Sequence, residues 1–320
     1  MTDIPDVFGL GHCCIDYLNV LDPFPDKGKK GEIVDSLIIS GGPVPTALQA
    51  LKIFGRTTRF CGKVGDDEAG EQVISELDMN GIDTTPIVID PEIKTAIAHI
   101  WIDISDGSRT IALNRAKTNW ISESELDNNH PKKCRLFLTD GRAEKATIQA
   151  LQVARNAGIP TVFDSGAVRP GIEKMLPLVD YAVVSIDFAD TFLTIPKQHT
   201  RSSEKEAIIE RGQVLCRALI NSGAGTAIVT VGEMGAVWST RSEKGLIPGF
   251  EVDVYDTTGA GDIFHAGFIH GLLEEWCMTE CIRFGNAAAA LSCRKLSGLM
   301  GIPTLEEINE LLYHSTNTQM

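Results

Sequence analysis

Residues 256–262 combine small residues with carboxylates in a pattern suited to chemistry on an anion. The run reads Asp-Thr-Thr-Gly-Ala-Gly-Asp, and an apolar-periodic stretch that predicts a helix follows at once. Gly259, Ala260 and Gly261 let the backbone approach a ligand closely, where a helix should begin and its first N–H groups lack partners. Asp262 falls in the first turn, where the helix dipole favours an ionised carboxylate that can take a proton from a hydroxyl. An anion cradle beside a base indicates phosphoryl transfer to an alcohol.

The alternative interpretation of this run is a plain glycine-rich turn with a capping aspartate. The whole string nevertheless resembles the signature of the ribokinase-like (PfkB) carbohydrate kinases. Three more segments are similar to motifs of that family and stand in the expected order, namely residues 38–70, 229–236 and 282–303. The resemblance implies an ATP-dependent sugar kinase in which the two glycines and the residue between them form the anion hole. The final aspartate of the string would then deprotonate the sugar hydroxyl.

Three residues near the N-terminus match family positions that contact the sugar. Asp16 matches an aspartate that binds sugar hydroxyls, and a carboxylate can accept two such hydrogen bonds. Gly41 and Gly42 match a double glycine that brings backbone beside the sugar. The structural alternatives are a turn aspartate for Asp16 and a simple helix start for the glycines. The resemblance favours sugar contact at all three positions.

Basic residues near this end bear on the class of sugar. Lys30, Asn114 and Arg142 are similar to the positions by which sulfofructose kinases, a branch of the family, hold a sulfonate, and a tetrahedral anion needs such donors. The run Asp140-Gly141-Arg142 also resembles the acid-Gly-Arg of ketohexokinases, which act on neutral ketoses. A surface turn at Lys30 is a further alternative. An anionic sulfo- or phospho-sugar and a neutral ketose or ribose-like sugar therefore both stay open.

The resemblance also implies where the nucleotide binds. Thr230, Gly232 and Gly235 belong to a segment similar to the strand and glycine turn that lies along the nucleotide phosphates. Asn286 and Ala289 belong to a segment similar to the late helix that flanks the adenine. We therefore expect ATP to lie between these two segments and the anion hole.

The metal positions depart from the family pattern. The family often has Asn-x-x-Glu after the fourth core strand, a pair that orders water around Mg²⁺, and residues 184–188 lack both members. Asp187 takes part of that role or caps the helix that follows. We still expect Mg²⁺, because ATP carries it together with several of its own waters. Asp256 and Thr258 match positions that bind a monovalent cation in some relatives, which leaves activation by K⁺ open.

His265 has two interpretations. It lies three residues after Asp262 and so shares a face of the predicted helix with that aspartate, from which it could touch the nucleotide. A single histidine in apolar surroundings is more often a hydrogen-bonded core residue. The sequence gives no reason to count His265 among the site residues.

Composition fits an enzyme of this size. The 320 residues are 43% hydrophobic, enough for a sizeable core, and the N-terminus lacks the features of a signal peptide. No apolar run approaches the roughly 20 residues that span a bilayer, so we expect a cytoplasmic protein without a membrane partner. Against 43 acidic residues stand 29 basic ones, and the net charge of −14 repels nucleic acid. ATP must then be held by local contacts.

Strands and helices alternate along most of the chain, as in a parallel sheet covered on both faces. In such sheets ligands bind beyond the carboxyl ends of the strands, where Asp140, Asp164, Ser185 and Thr230 fall. Together with the resemblance this predicts an α/β fold, a ribokinase-like three-layer αβα sandwich in one domain over residues 1–320. The predicted strands are 58–61, 135–139, 161–164, 181–184 and 226–230, and the predicted helices are 47–54, 69–80, 144–157 and 204–221.

Two stretches, 16–39 and 94–114, have extended character instead and predict a small β-lid inserted in the domain, with a hairpin turn at Asp106-Gly107. In the family such strands cover the sugar and exclude water. Their exposed edges predict a homodimer that pairs lid strands. The lid thus combines two expected tasks, closure and assembly.

Two other function classes are weighed against the kinase. A regulator with a kinase-like fold that binds sugar or nucleotide without turnover is conceivable because Asn-x-x-Glu is missing. The intact anion hole with its aspartate argues against it. A dinucleotide-dependent oxidoreductase is disfavoured because the glycine turn lies near the C-terminus, outside an early strand–Gly-x-Gly-x-x-Gly–helix unit.

Overall fold

The continuous apolar segments of the sequence become the strands of a central sheet. This computed structural model describes residues 4–105, 107–114, 120–194 and 204–317. The strands in chain order are β1 (Val7–Leu10), β2 (Cys14–Leu21), β3 (Ile33–Gly41), β4 (Thr58–Cys61), β5 (Lys63–Gly65), β6 (Val88–Asp90), β7 (Ala96–Asp103), β8 (Arg109–Asn114), β9 (Leu136–Thr139), β10 (Thr161–Ser165), β11 (Tyr181–Ser185), β12 (Thr226–Thr230), β13 (Ala236–Ser239) and β14 (Lys244–Ile247).

Helices connect most of these strands. Among the described residues no helix is long and apolar enough to cross a membrane. The helices in chain order are α1 (Pro43–Ile53), α2 (Glu68–Met79), α3 (Asn129–Lys132), α4 (Glu144–Asn156), α5 (Ile172–Met175), α6 (Ile186–Leu193), α7 (Glu204–Asn221), α8 (Ala260–Leu273), α9 (Met278–Ser292), α10 (Gly298–Gly301) and α11 (Leu305–Asn317).

The central sheet has eight strands in the order β14-β13-β12-β11-β10-β9-β1-β4. The six strands from β12 to β4 are parallel, and β13 and β14 add an antiparallel edge. Both faces are covered, because neighbouring residues of one strand enter different cores. Leu138 of β9 packs with residues of α1, α8 and α9, whereas Phe137 packs with residues of α4 and α7. The predicted α/β fold with a mostly parallel sheet between helices is confirmed.

Several predicted boundaries agree with the structure to the residue, and others shift for local reasons. β4, β12 and α7 span the predicted ranges. α2 begins one residue early because the Asp67 side chain accepts a hydrogen bond from Gly70 N at 3.0 Å and caps the helix. The short parallel pair β5–β6 and the hairpin β13–β14 were not predicted, since each of these strands has only three or four residues.

A second sheet of four strands, in the order β3-β2-β7-β8, comes from the two stretches expected to form the lid. Alternate residues of β2 and β7 are buried together on one face, where Leu296 joins them from the loop after α9. Gly107, in the turn between β7 and β8, lies close to Tyr255, since a Cβ added there would be 3.3 Å from the Tyr255 carbonyl oxygen. Asp106 of the predicted turn lies outside the described residues. The lid sheet therefore rests on the segment that leads into α8.

Candidate active site

The start of α8 is open to a ligand. Gly259 is the N-cap residue with φ of 81°, a left-handed conformation that glycine adopts without strain. A Cβ added to Gly259 would be 3.1 Å from Gly298 Cα, so this glycine also allows close packing. At Gly261 an added Cβ would meet no described atom within 4 Å. Because the first turn of a helix leaves its N–H groups without intrahelical partners, this open space could hold an anion.

Asp256 fastens the loop that precedes this turn. Its Oδ1 accepts hydrogen bonds from the Thr258 backbone N and the Thr258 hydroxyl, both at 2.8 Å. Its Oδ2 accepts one from Ser297 N at 2.8 Å, and Gly298 N donates to Thr258 O at 2.6 Å. The buried carboxylate is thus satisfied within the chain and ties the loop to residues 297–298.

Asp262 lies in the first turn of α8, partly exposed to solvent. Although the residue is partly exposed, the protein around its carboxyl group displaces water and raises the pKa of Asp262 well above its ordinary value, and the neighbouring carboxylate of Asp164 raises it further. The Arg109 guanidinium acts in the opposite direction, and Asp16 and Asp140 are close enough to add to the rise. A carboxylate with a raised pKa is a stronger base, which suits a proton acceptor at neutral pH.

Arg109 is a candidate site residue that sequence reasoning missed. It begins β8 in the lid, and its Nη1 donates a hydrogen bond to Thr257 Oγ1 at 2.9 Å. The register pairs Arg109 with Ile102 and Leu113 with Ala98, the partner of Asp16, so Arg109 and Asp16 share a face of the lid sheet. Arg109 lies four positions before Leu113, so side-chain alternation along the predicted strand would have placed both residues on one face. The lid thereby brings a positive charge to the anion hole.

The predicted sugar contacts Asp16, Gly41 and Gly42 lie together. Cys14 Sγ donates to Asp16 Oδ1 at 3.1 Å, and burial raises the pKa of Asp16. A Cβ on Gly41 would be 2.0 Å from Asp16 Oδ2, so any side chain there would displace the carboxylate. Gly42 caps α1 with φ of 113°, and a Cβ there would be 2.3 Å from the His12 carbonyl oxygen. The double glycine is therefore required by the backbone and by Asp16.

Asp140 and Arg142 follow β9 at its carboxyl end. The buried Asp140 accepts hydrogen bonds from His12 N at 2.8 Å and from Arg142 N at 3.0 Å, which fixes this turn. Arg142 Nε lies 3.5 Å from Asp140 Oδ2. Arg142 Nε and Nη1 are both buried and find no hydrogen-bond partner among the described residues. Because buried donors are nearly always paired, these atoms indicate a ligand.

Lys30, Asn114 and Arg142, expected to hold a sulfonate together, are not brought together within one chain. Lys30 is exposed in the connection between β2 and β3, beyond the Leu21–Ile33 pair that ends the hairpin far from Asp16. Asn114 is exposed at the end of β8 and pairs with Ile97, which alternation places on the face of the lid sheet opposite to Asp16. Of the three, Arg142 is the one whose side chain lies beside Asp140, and its charge acts on Asp164.

The two glycines of the turn predicted to lie along the nucleotide phosphates differ in their surroundings. Gly232 has φ of 64°, and a Cβ there would meet no described atom within 4 Å, so its backbone is open to a ligand. Gly235 has φ of 95°, and a Cβ there would be 2.2 Å from the Ile247 carbonyl oxygen. Gly235 is thus explained by packing against β14. Thr230 ends β12 at the same edge and is partly exposed.

Asn286 and Ala289, predicted to flank the adenine, lie one turn apart on α9. The buried Asn286 donates from Nδ2 to Ile247 O and to Pro248 O, both at 3.0 Å. Its amide hydrogens therefore join α9 to the end of β14. Ala289 is partly exposed, and its small side chain leaves room beside the helix.

Asp187 does not cap α6. The cap is Ser185, whose hydroxyl accepts a hydrogen bond from Phe188 N at 3.1 Å. Asp187 is exposed in the first turn of α6, next to the carboxyl end of β11. An exposed carboxylate at this edge of the sheet fits the predicted contact with Mg²⁺ through water.

Comparison with known proteins gives a consistent answer. The pfkB family carbohydrate kinase profile matches residues 7–305. Probable fructokinase-5 of Arabidopsis thaliana is 27% identical over 337 residues, covering 98% of this chain and 98% of that relative.

Solved structures agree in fold. A putative ribokinase from Agrobacterium tumefaciens superposes with a TM-score of 0.83 at 25% identity, covering 98% of this chain and 99% of that chain. Arabidopsis thaliana ribokinase complexed with ribose and ATP gives a TM-score of 0.81 at 21% identity, over 96% of this chain and 98% of that one. The resemblance found in the sequence is confirmed, and the chain belongs to the pfkB family of carbohydrate kinases, phosphotransferases with an alcohol group as acceptor.

Proposed function

We propose that this carbohydrate kinase transfers the γ-phosphoryl group of ATP to a hydroxyl of a small ketose or ribose-like sugar. One observation carries the proposal. Asp262 lies at an open helix start, Arg109 of the lid sheet donates to Thr257 beside it, and the charges of Asp16 and Asp140 act on its carboxyl group, which supports a base, an anion cradle and sugar-binding groups around one space. A sugar held there would present a hydroxyl to Asp262 and the phosphoryl group to the first turn of α8.

In the proposed reaction Asp262 accepts the proton of the attacking hydroxyl. The hydroxyl oxygen bonds to the γ-phosphorus while the bond to the leaving ADP oxygen breaks, without a covalent intermediate on the protein. The N–H groups near Gly261 stabilise the negative charge on the transferring group. Arg109, held at Thr257 beside the same turn, adds positive charge from the lid.

ATP and Mg²⁺ are the proposed cofactors. Thr230 and the open Gly232 would hold the phosphates, and Ala289 would lie beside the adenine. Asp187 would contact Mg²⁺ through water, and the bound ion would neutralise charge on the phosphates. Asp256 and Thr258 remain the candidate site for K⁺. Since Asp256 already accepts three hydrogen bonds, the proposed mechanism has no step through K⁺, and rates with K⁺ replaced by Na⁺ test this.

For the sugar we favour a neutral molecule. Asp16 supplies an acceptor, and Arg142 supplies buried N–H groups, of which Nη1 has no hydrogen-bond partner among the described residues; together they suit hydroxyl groups. Lys30, a cation needed for the sulfonate alternative, lies at the far end of the lid hairpin. An anionic sugar is therefore the competing outcome of a substrate test.

A homodimer through the lid is part of the proposal. β3 and β8 are the edges of the lid sheet, and their exposed apolar residues need a cover. A second copy of the chain that pairs with one of these edges would cover its apolar residues. Light scattering that finds a monomer at micromolar concentration would exclude the dimer. The exposed residues are Ile33, Val34, Ile38, Ile111 and Leu113.

The experiment measures ADP release from Mg·ATP with ribose, fructose, other ketoses, sugar phosphates and 6-deoxy-6-sulfofructose. Asp262→Asn should lower kcat about 10²–10⁴-fold while the protein stays folded, because the amide cannot accept the proton. Asp26→Asn, an exposed lid position, is the matched control and should keep full activity. Turnover confined to the sulfonated sugar would reverse the substrate assignment. Sugar binding without ADP release from any sugar would refute the kinase and leave the regulator.

A further inference from the structure

His265 is buried directly beneath the turn that forms the anion hole. It is 4% exposed, and its ring lies between two backbone carbonyl groups. Nδ1 is 2.7 Å from Gly261 O, one turn earlier in α8, and Nε2 is 3.1 Å from Val183 O in β11. The histidine therefore links the anion hole to the central sheet.

Both ring nitrogens face an oxygen that can only accept a hydrogen bond. A neutral imidazole has one N–H, so its other nitrogen would direct a lone pair at a carbonyl oxygen. An imidazolium donates from both nitrogens and satisfies both contacts. The two short distances thus favour the protonated ring, whichever tautomer is considered.

Asp164 supplies the opposite charge. This buried residue of β10 has Oδ2 at 3.5 Å from His265 Nδ1, and Oδ2 has no hydrogen-bond partner among the described residues. Burial raises the pKa of Asp164, and His265, Arg142 and Arg169 counteract this, whereas Asp140 adds to it. Because a buried carboxylate without a partner is costly, a cation at His265 explains how Asp164 is tolerated.

We propose that His265 is a positioning residue held as an imidazolium, which fixes the Gly261 carbonyl of the anion hole and neutralises Asp164 behind the base Asp262. This inference deepens the proposed function and rests on the role of Asp262 as the proton acceptor.

The consequence for catalysis concerns the charge on Asp262. Asp164 is its most influential charged neighbour and raises its pKa, and Asp16 and Asp140 act in the same direction. With His265 protonated, the negative charge of Asp164 is compensated within the pair. Without that cation, Asp164 repels a second negative charge at Asp262 more strongly. Loss of the His265 charge should therefore protonate Asp262 at higher pH and weaken the base first on the acidic side.

The first test reads the protonation state without any assay of activity. Protein labelled with ¹⁵N-histidine is examined by NMR at pH 7, with signals assigned from His265→Gln and His270→Gln. His265 should show two protonated ring nitrogens. His270, buried in the same helix, is the internal control, since burial and Arg56 lower its pKa to about 4, and its ring should therefore be neutral at pH 7. A His265 ring with one unprotonated nitrogen overturns the proposal.

The second test separates a charge effect from loss of packing. In His265→Gln the acid limb of kcat/KM should move to higher pH, lowering kcat/KM about tenfold below the midpoint and little above it. His270→Gln should leave the profile unchanged. Adding Asp164→Asn to His265→Gln removes both charges and should return the limb toward its original position. A uniform loss at every pH in both His265 variants would mean a purely structural residue.

The two tests also distinguish failure of this inference from failure of the proposed function. If wild-type protein phosphorylates no sugar, the function fails, and the ring nitrogens still report whether His265 is charged. If His265→Gln does not fold, the His265 signal is assigned by substituting the other histidines one at a time, and the wild-type spectrum decides. Turnover with a neutral His265 ring would refute the inference and leave the kinase intact.

Discussion

Gly261→Ala should make the protein more stable and less active. The position lacks the left-handed backbone that favours glycine, and an added methyl group would meet no described atom within 4 Å. Replacing glycine by alanine in a helix reduces the backbone entropy lost on folding and stabilises by about 0.4–1 kcal/mol. For a chain of this size we expect Tm to rise by about 1–3 °C.

The same methyl group should obstruct the reaction. It would occupy the space through which a phosphoryl oxygen approaches the N–H groups of the first turn. Loss of one such donor costs about 10²–10³-fold in kcat, so we expect kcat/KM for the sugar to fall about 10²-fold. Coupled measurement of ADP release at saturating Mg·ATP and thermal unfolding on the same preparations give both numbers.

Gly259→Ala is the matched control, because two positions away the same substitution meets different surroundings. Its φ of 81° and the 3.1 Å approach to Gly298 Cα would strain an alanine. The free energy of unfolding should therefore fall by about 1–2 kcal/mol, and Tm should fall with it. Opposite changes in Tm with a shared loss of activity would identify the cradle. Gly261→Ala with unchanged kcat/KM would refute the reasoning, since the phosphoryl group would then bind elsewhere.

Two further predictions concern the groups around this turn. Arg109 lowers the pKa of Asp262, so Arg109→Met should raise that pKa. Because the reaction needs ionised Asp262, the rate should fall on the acid limb of the pH profile and less at alkaline pH. An equal loss at all pH values would contradict this electrostatic role. Asp256→Asn leaves the Ser297 or Thr258 N–H without a carboxylate acceptor, so the free energy of unfolding measured in urea should fall by about 1–3 kcal/mol. An unchanged midpoint with an unchanged slope would contradict this prediction.

The core of the fold could be predicted from the sequence because its signals are local. β9 is buried at all four positions, and its apolar run Leu136-Phe137-Leu138 identifies a central parallel strand without knowledge of its neighbours. The hairpin β13–β14 could not be predicted in the same way. It lies at the sheet edge, and β14 alternates between exposed and half-buried residues over four positions, too few for a period to emerge.

In the candidate site, too, the local features could be predicted and the long-range contacts could not. Asp262 and the glycines beside it are contiguous in sequence, so their geometry follows from the start of one helix. Arg109 reaches Thr257 across 148 positions, and that contact depends on how the lid sheet docks. Lys30 matches a family position in sequence, yet it lies in the connection between β2 and β3, far from Asp16.

The hydrogen bond from Ser297 N to Asp256 means that the run from Asp256 to Asp262 does not hold its conformation by itself. The Asp256 carboxylate, which fixes the loop before α8, accepts one of its hydrogen bonds from Ser297, a residue that follows α9 and lies 41 positions further along the chain. A gene product truncated before Ser297 would still carry every letter from Asp256 to Asp262. It would have a buried carboxylate with one of its partners removed and a loop no longer fixed, so such a fragment would match a motif search and fail as an enzyme.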